Sequence, residues 1–319
     1  MNDIDTNEVI ELDYHKASTK ANFASNLFDG FAMLILSFLL LLLNNFIFSK
    51  TPLGIQTKNE RDDIILSSYL YKKDDKNNIK DVYSLVNDNE ELTTDEKSKE
   101  YDKTLTNFFT EFVKDENIYK NYKKEAKVDN EIRLFDDDGN RLLTNTDDDN
   151  KYFEFYKNVI RNIAPGYLTS SKIYRDNLKK SIIQNILLFY LSLFISNTIF
   201  FYIFPLIFYR GRKTLGMKMV NIALVDVNAM SVSFKRFTLR YLFYFFIIIT
   251  LSLVSFFIPL IVSITMMFAN KTGQGLTDYV FNTYKVDSSS SSIYLNKEEY
   301  LEVNFKNEDV DIEHINISL

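Results

Sequence analysis

The sequence predicts an α-helical membrane protein with 3–4 transmembrane helices and a small extracytoplasmic α+β insert between the first two. Two observations support this fold class. Three long apolar blocks, residues 31–48, 182–209 and 241–268, contain no Asp, Glu, Lys or Arg. Residues 50–181, in contrast, contain 24 basic and 27 acidic side chains. A soluble domain seldom separates charge in this way, so the pattern strongly disfavours a purely soluble protein.

The first apolar block predicts a transmembrane helix over residues 22–49, preceded by a cytoplasmic N-terminal segment, residues 1–21. A helix rises about 1.5 Å per residue and the hydrocarbon core is about 30 Å thick, so about 20 residues are enough to cross it. The charged residues before the block are acidic, and no small-residue cleavage site follows it. We therefore expect a retained span and not a cleaved signal peptide.

The second and third apolar blocks differ in the number of membrane crossings that they predict. Residues 182–209 predict a second transmembrane helix. Residues 241–268 are longer than one perpendicular crossing but shorter than the roughly 40 residues that two crossings need. Pro259 interrupts this third block. A single kinked span and a long helix followed by a short returning helix both stay open.

The orientation follows from the basic residues beside the spans. Residues 210–240 carry seven Lys and Arg side chains against one acid, Asp226. Because cytoplasmic loops are enriched in Lys and Arg, we place this segment and the N-terminus in the cytoplasm, and residues 50–181 outside the cell membrane. The C-terminal segment, residues 269–319, ends in a flexible acidic tail. It is cytoplasmic if the third block returns, and external if the block crosses once.

The basic segment has local structure of its own. Ser233 is a potential cap for a helix that begins at Phe234, and its basic and aromatic residues up to position 240 are typical of an interfacial helix on an anionic membrane surface. Val220–Val225 is rich in β-forming residues. It is expected to pair with Tyr284–Val286 if both segments lie on the cytoplasmic side.

The insert, residues 50–181, contains apolar clusters between charged stretches, which predicts a small α+β domain. Residues 105–119 have the spacing of an amphipathic helix, and residues 131–146 read as two short strands around an Asp138–Gly139 turn. Residues 72–100 are expected to be loose. The acidic runs at 136–138 and 147–149 lack the spacing of a calcium loop and are interpreted as solvated turns.

Polar residues within the apolar helices are the candidate functional groups. A carboxylate near hydrocarbon is costly, so Asp29 is expected to face a partner helix or a watery cavity, with Asn22 and Asn26 on nearly the same helix face. Asp29 is either an ion, proton or ligand contact, or a structural group held by a basic partner from residues 210–240. Serine stripes in the later spans serve either helix packing or a solute path.

Several function classes are excluded or disfavoured by composition. The chain has no Cys and only two His, at positions 15 and 314, which excludes disulfides, thiolate catalysis and a histidine-built metal centre. We find no nucleophile–base pair, phosphate loop or metal-ligand spacing. We therefore predict no enzymatic activity, no catalytic residue, no metal and no cofactor. No nucleic-acid partner is expected, because no recognition fold surrounds the basic helix.

The order of these pieces resembles the RDD family of bacterial membrane proteins, named for one Arg and two Asp. The matching pieces are Asp29, Thr214–Lys218, Ser233 with Arg236 and Arg240, Gln274–Asp278 and Thr283. Together they cover residues 20–48 and 182–287. The family pattern has an Arg near position 22, where this chain has Asn22 and, nearby, Lys20. The insert is longer than is usual for the family.

The resemblance implies transport of a small solute or a cation, by a transporter or transport subunit. The resemblance and the polar groups of the apolar helices together indicate six candidate residues with a role in transport or structure. They are Asp29, Asn22, Asp278, Arg236, Arg240 and Gln274. The expected partners are the lipid bilayer and the small solute or cation. Three or four helices can line only a narrow pore, so further copies of the chain are also expected as partners. The alternative is a membrane-anchored binding or assembly protein whose external domain, residues 50–181, recognises a partner or surface ligand.

Overall fold

The computed structural model describes residues 15–128, 132–142 and 148–303. Three parts of the predictions lie outside these residues: most of the N-terminal segment, Asp147, and the acidic tail beyond position 303. The helices are α1 Thr19–Lys50, α2 Pro52–Ser67, α3 Val82–Asn87, α4 Thr94–Asn107, α5 Glu116–Glu125, α6 Asp149–Asn158, α7 Ala164–Ser170, α8 Lys172–Thr198, α9 Phe204–Ile207, α10 Leu215–Met219, α11 Phe234–Phe243, α12 Leu251–Val254, α13 Ile258–Ala269 and α14 Leu276–Val280. The strands are β1 Tyr71–Lys73, β2 Ile79–Asp81, β3 Lys127–Val128, β4 Ile132–Arg133, β5 Ile222–Val225 and β6 Tyr284–Asp287. π-Helical stretches extend four of the helices: Phe108–Val113, Val159–Ile163, Ile199–Ile203 and Tyr244–Thr250.

Among the described residues, three helices are long and apolar enough to cross a membrane: Thr19–Lys50, Lys172–Ile207 and Phe234–Val254. The last two each combine α-helices with a π-helical stretch. The chain is mostly helical, and its sheets are small. The predicted fold class is therefore confirmed in its coarse form.

The third apolar block forms a long helix followed by a short returning one, the second of the two predicted forms. The turn lies at Phe256 and Phe257, whose φ angles of 51° and 64° are left-handed. Pro259 occupies the first turn of α13, where its missing N–H is harmless. The N–H of Leu260 donates to Ser252 Oγ at 3.1 Å, and α13 packs back against residues 244–250.

The helix that precedes this turn begins at Phe234, as predicted, but Ser233 forms no side-chain cap. It continues without interruption to Val254. The predicted end of this helix at position 240 is therefore wrong, whereas its interfacial placement stays a prediction. The physical reason is that residues 234–254 contain neither Gly nor Pro to stop the helix.

Strands β5 and β6 pair antiparallel, with Ala223 opposite Val286 and Leu224 opposite Lys285. The predicted pairing of these two segments is confirmed. Ala223, Val225 and Val286 are buried together on one face. Because side chains alternate along a strand, Lys285 projects to the opposite face. The sheet thus holds residues 284–287 beside the basic segment.

The described chain divides into two compact units, and the division falls within α1 and α8. The bundle unit comprises the chain up to Asn44 and from Leu188 onwards, and the insert unit comprises Asn45–Leu187. The insert unit has an aromatic core of its own, built around Tyr101, Phe108, Phe109, Phe135, Tyr152 and Tyr156. It is mostly helical, with two small antiparallel hairpins, β1–β2 and β3–β4.

Local predictions for the insert unit need correction. The amphipathic helix expected over 105–119 is interrupted at Lys114, whose φ of 64° is left-handed. Residues 72–100 are mostly regular and not loose, because a capping box of Thr93 and Glu96 starts α4. Around the predicted turn at Asp138–Gly139, Phe135 does form an antiparallel bridge with Arg141, and a backbone hydrogen bond joins Leu142 to Leu134, whereas positions 131 and 143–146 of the predicted strands lie outside the described residues. Strand β4 also pairs with β3.

Candidate functional site

Polar side chains from distant parts of the sequence meet in the bundle unit. They come from the first half of α1, from the start of α10, from α11 and from residues 274–285. We call Asn22, Asp29, Arg240, Asp278 and Lys285 the polar cluster. Asn22, Asp29 and Asp278 are almost fully buried, at 2%, 0% and 5% exposure. A buried charge of this kind needs hydrogen bonds or an opposite charge to be tolerated.

Asp29 is held by the segment that follows the second long helix. Its two carboxylate oxygens accept hydrogen bonds from the Thr214 hydroxyl at 2.5 Å and from the Gly216 N–H at 2.8 Å. Thr214 also caps α10 by accepting from the Met217 N–H. A Cβ at Gly216 would lie 2.4 Å from the Ser25 carbonyl oxygen, so the close approach requires glycine. A hydroxyl and a backbone amide, and not the expected basic side chain, are therefore the partners from residues 210–240.

Asp278 forms a buried ion pair with Arg240. The guanidinium donates to Asp278 Oδ1 from Nη2 at 2.6 Å and from Nε at 3.2 Å. The hydroxyl of Thr283 donates to the same oxygen at 3.2 Å, and Lys285 Nζ lies 3.9 Å from Oδ2. Burial raises the pKa of Asp278, but the charges of Arg240 and Lys285 lower it by more than burial raises it. The pKa of Asp278 is therefore below its ordinary value.

Lys285 connects Asp278 to α1. Its ammonium group donates to Asn22 Oδ1 at 2.7 Å and to Asn26 Oδ1 at 3.1 Å. Burial lowers the pKa of Lys285 below its ordinary value, and the charge of Asp278 opposes this change. Lys20, by contrast, is exposed. The cation near position 22 is thus supplied by strand β6.

The two remaining predicted residues lie in different surroundings. Gln274 is buried; its amide donates to the Thr283 carbonyl at 3.0 Å and accepts from the Thr272 hydroxyl at 2.7 Å. It therefore fixes the loop that carries Asp278. Arg236 is exposed and lies 3.9 Å from Asp226. Five of the six predicted residues are thus brought together, and Arg236 is not.

Several polar residues of the later spans make hydrogen bonds within or between helices, and two of the serines, Ser252 and Ser263, also line a cavity of the bundle unit. Ser192 and Ser196 are buried, whereas Asn185 is exposed. Ser192 Oγ accepts a hydrogen bond at 2.9 Å from Asn44 Nδ2 of α1. In the third block, Ser263 Oγ accepts from the Leu276 N–H at 3.2 Å.

A cavity of about 360 Å³ lies within the bundle unit. Its lining comes from α1, from both later spans with their π-helical stretches, and from α13. Most of the wall is apolar, for example Leu34, Leu193 and Ile248. Arg240, Asp278 and Lys285 of the polar cluster belong to the lining, whereas Asp29 does not. Pockets of about 300–1,000 Å³ with apolar walls and a few polar groups are typical small-molecule sites.

Two further lining residues were not predicted from the sequence. The guanidinium of Arg212 lies 5.4 Å from the centre of the Phe237 ring and donates to the Val232 carbonyl at 3.3 Å. Thr277 is 5% exposed, and its hydroxyl has no hydrogen-bond partner among the described residues. Neither residue lies in an apolar block, so neither stands out in the sequence as a polar group that interrupts an apolar helix.

Comparison with known proteins supports the resemblance stated above. The RDD family model matches residues 159–282. This region includes both later spans, Thr214–Lys218, Arg240 and Gln274–Asp278, whereas Asp29 and Asn22 lie before it. No curated protein and no solved structure matches the chain.

Proposed function

We propose that this chain, an RDD family membrane protein by its match over residues 159–282, is a transporter or transport subunit for a small solute. The proposal rests on one observation: the cavity within the bundle unit is lined by every long apolar helix and has charged groups at one place in its wall. Ionisable residues within membrane helices usually face such a cavity and mark a solute or ion pathway. The proposed role is not enzymatic.

The proposed topology keeps the predicted orientation. The basic segment, residues 210–240, is assigned to the cytoplasm. Strand β5 is part of that segment and pairs with β6, so residues 284–287 are assigned to the same side. The insert unit is then external, and the third block returns to the side on which it began. The plasma membrane is the proposed location.

Labelling of single cysteines tests the topology, because the chain has no Cys of its own. Asn89→Cys lies in the insert unit and Ser290→Cys follows β6. In intact cells, a membrane-impermeant maleimide is expected to label the first variant and not the second. Labelling of Ser290→Cys in intact cells would contradict the assignment.

Flux measurements test the transport function. The full chain is reconstituted into vesicles, and fluxes of ²²Na⁺, of protons and of octanesulfonate are compared with those of protein-free vesicles. We expect one of these fluxes to rise, and to fall in Lys285→Met, which alters the cavity wall, and in Asp29→Asn. Arg236→Gln, an exposed change on α11, is the control and should keep the flux. Equal fluxes with and without protein would contradict transport of all three solutes.

A binding or assembly role of the insert unit is the second candidate. The observation in its favour is that the unit encloses its own aromatic core, as an independent binding domain would. Pull-down with the full chain and with a variant lacking 50–181 tests it. A partner retained by both would exclude the insert unit as its binding site.

A further inference from the structure

We infer that the cavity of the bundle unit binds a single-tailed amphipathic anion, a molecule with one acidic head group and an apolar chain. This names the solute class of the proposed transport site, and it rests on that proposal only for the movement of the ligand. The binding itself is a property of the cavity and is tested separately.

The charges of the cavity wall favour an anion. Its lining contains three basic side chains, Arg212, Arg240 and Lys285, and one acidic side chain, Asp278. Arg240 and Lys285 share that one carboxylate, at 2.6 and 3.9 Å. Asp29 lies behind the wall with both oxygens already hydrogen-bonded, and even with its charge included the sum stays positive. A cation entering this space would be repelled, whereas an anion would balance the excess.

Arg212 is the group best placed to hold the head group. It has no carboxylate partner within the described part of the chain, and its guanidinium lies over the ring of Phe237. Phe237 is one helical turn from Arg240 on α11, and Arg212, Phe237 and Arg240 all line the cavity. Arginine stays charged in proteins and its fork of N–H donors matches a carboxylate, sulfonate or phosphate.

Thr277 supplies an independent observation that points to a ligand. Its hydroxyl is buried in the wall and has no partner among the residues that the structure describes. A buried hydroxyl without a hydrogen bond is costly, and native structures rarely keep one. Thr277 precedes Asp278 in the chain and lines the same cavity, so the oxygens of an acidic head group would accept a hydrogen bond from its hydroxyl.

The remaining wall suits an apolar chain. It is formed by residues such as Phe31, Leu34, Ile249, Leu253 and Leu260. Gly30 leaves open space, since a Cβ placed there would meet no atom within 4 Å. The volume of about 360 Å³ is near the lower end of the range of about 300–1,000 Å³ for small-molecule sites. This favours one chain over the two chains of a phospholipid.

Equilibrium binding in nanodiscs of zwitterionic lipid tests the inference. The probe is radiolabelled decanesulfonate, which keeps its charge at every pH used, and empty nanodiscs give the background. We expect saturable binding to the full chain, with competition by unlabelled decanesulfonate and decanoate but not by decyltrimethylammonium. An anionic phospholipid, added to the disc in a second series, should compete weakly. No saturable binding, or stronger competition by the cationic amphiphile or by the phospholipid, would overturn the inference.

Variants locate the binding. Arg212→Met is expected to weaken binding about tenfold, the change that the loss of a charge-assisted hydrogen bond gives. Thr277→Val, which keeps the shape of the side chain, should weaken it about threefold to tenfold. Arg236→Met, which removes an exposed Arg outside the cavity wall, is the control and should bind as the wild type does. Wild-type binding by both Arg212→Met and Thr277→Val would overturn the assignment.

The binding and flux experiments fail in different ways. Binding of decanesulfonate without any flux would leave the ligand class intact and contradict transport. Flux of ²²Na⁺ or protons without decanesulfonate binding would leave transport intact and contradict the ligand class.

Discussion

The two units of the chain bury opposite kinds of side chain. In the insert unit the fully buried residues are largely aromatic and aliphatic, and most of the charged ones are exposed or half-buried. In the bundle unit, buried positions on the long helices include Ser25, Asp29, Ser192 and Asn197. Large apolar residues of the same helices, such as Phe38, are exposed.

We interpret this difference as stabilisation of the two units in two solvents, water for the insert unit and lipid for the long helices of the bundle unit. Water drives apolar groups inwards, so a unit in water is stabilised by its apolar core. Lipid is as apolar as Leu, so helices in a bilayer associate through close packing and through hydrogen bonds between polar groups. Substitutions of the same type should therefore have different effects in the two units.

The largest difference is expected for one phenylalanine in each unit. Phe109 is 0% exposed in the insert unit, and Phe38 is 61% exposed on α1. Phe109→Ala leaves a cavity in a packed core and should lower the free energy of unfolding by about 4 kcal/mol. Phe38→Ala removes a side chain that faces lipid and should change it by less than about 1 kcal/mol. Thermal unfolding in nanodiscs, followed by circular dichroism, measures both; equal losses would refute the two-solvent interpretation.

The next effect concerns two arginines of the same helix. Arg240→Gln leaves Asp278 buried with Lys285 at 3.9 Å, and should lower the free energy of unfolding by about 3 kcal/mol. Arg236→Gln removes only an exposed contact of 3.9 Å with Asp226 and should cost less than about 1 kcal/mol. The same unfolding measurement compares them. A similar cost for both would show that the buried pair contributes little.

The pH dependence gives the Arg240 prediction a second readout. Arg240 helps to hold the pKa of Asp278 below its ordinary value, so the folded state binds this proton less readily than the unfolded state does. The resulting stabilisation is present above the unfolded pKa of about 3.9 and is lost as the pH falls below it. Between pH 5 and 3 the wild type should therefore lose more stability than Arg240→Gln.

The sequence predicted the parts of the site that stand out from their surroundings. Asp29 could be found because a carboxylate interrupts an apolar helix, and the pairing of β5 with β6 could be predicted from β-forming residues on one side of the membrane. Lys285, Arg212 and Thr277 could not be found. Each is an ordinary residue in a polar segment, and only the fold brings Lys285 to Asn22.

The helix boundaries show the same limit. The start at Phe234 was predicted from local residues, but the predicted end at position 240 is not observed, because neither Gly nor Pro ends the helix before Val254. In the insert unit, charge-rich residues 72–100 were expected to be loose. A few apolar side chains, among them Val82 and Val86, bury themselves in the aromatic core and order this stretch. Such tertiary effects override local composition.

A smaller effect is expected for two glycines of the bundle unit. At Gly216 an added Cβ would lie 2.4 Å from the Ser25 carbonyl oxygen and 2.9 Å from Asp29 Oδ2, and at Gly30 it would meet nothing within 4 Å. Gly216→Ala should therefore lower the free energy of unfolding by about 2 kcal/mol. Gly30→Ala, in the interior of α1, should be neutral or stabilise by up to about 1 kcal/mol. If Gly216→Ala unfolds like the wild type, the close contact of α10 with α1 is not required.

The smallest effect on the free energy of unfolding is expected from loss of the hydrogen bond between Asn44 and Ser192. This bond is 2.9 Å long and joins α1 to α8. Single substitutions to Ala would also change packing, so a double-mutant cycle is needed to isolate the bond. Hydrogen bonds between membrane helices contribute on average about 0.6 kcal/mol, because the polar groups also find partners in the unfolded state. We expect a coupling energy of that size for Asn44→Ala with Ser192→Ala. A coupling near zero would mean that the polar interior of the bundle is held by the shape of its small side chains, and the contrast with the insert unit would then be one of packing and not of hydrogen bonding.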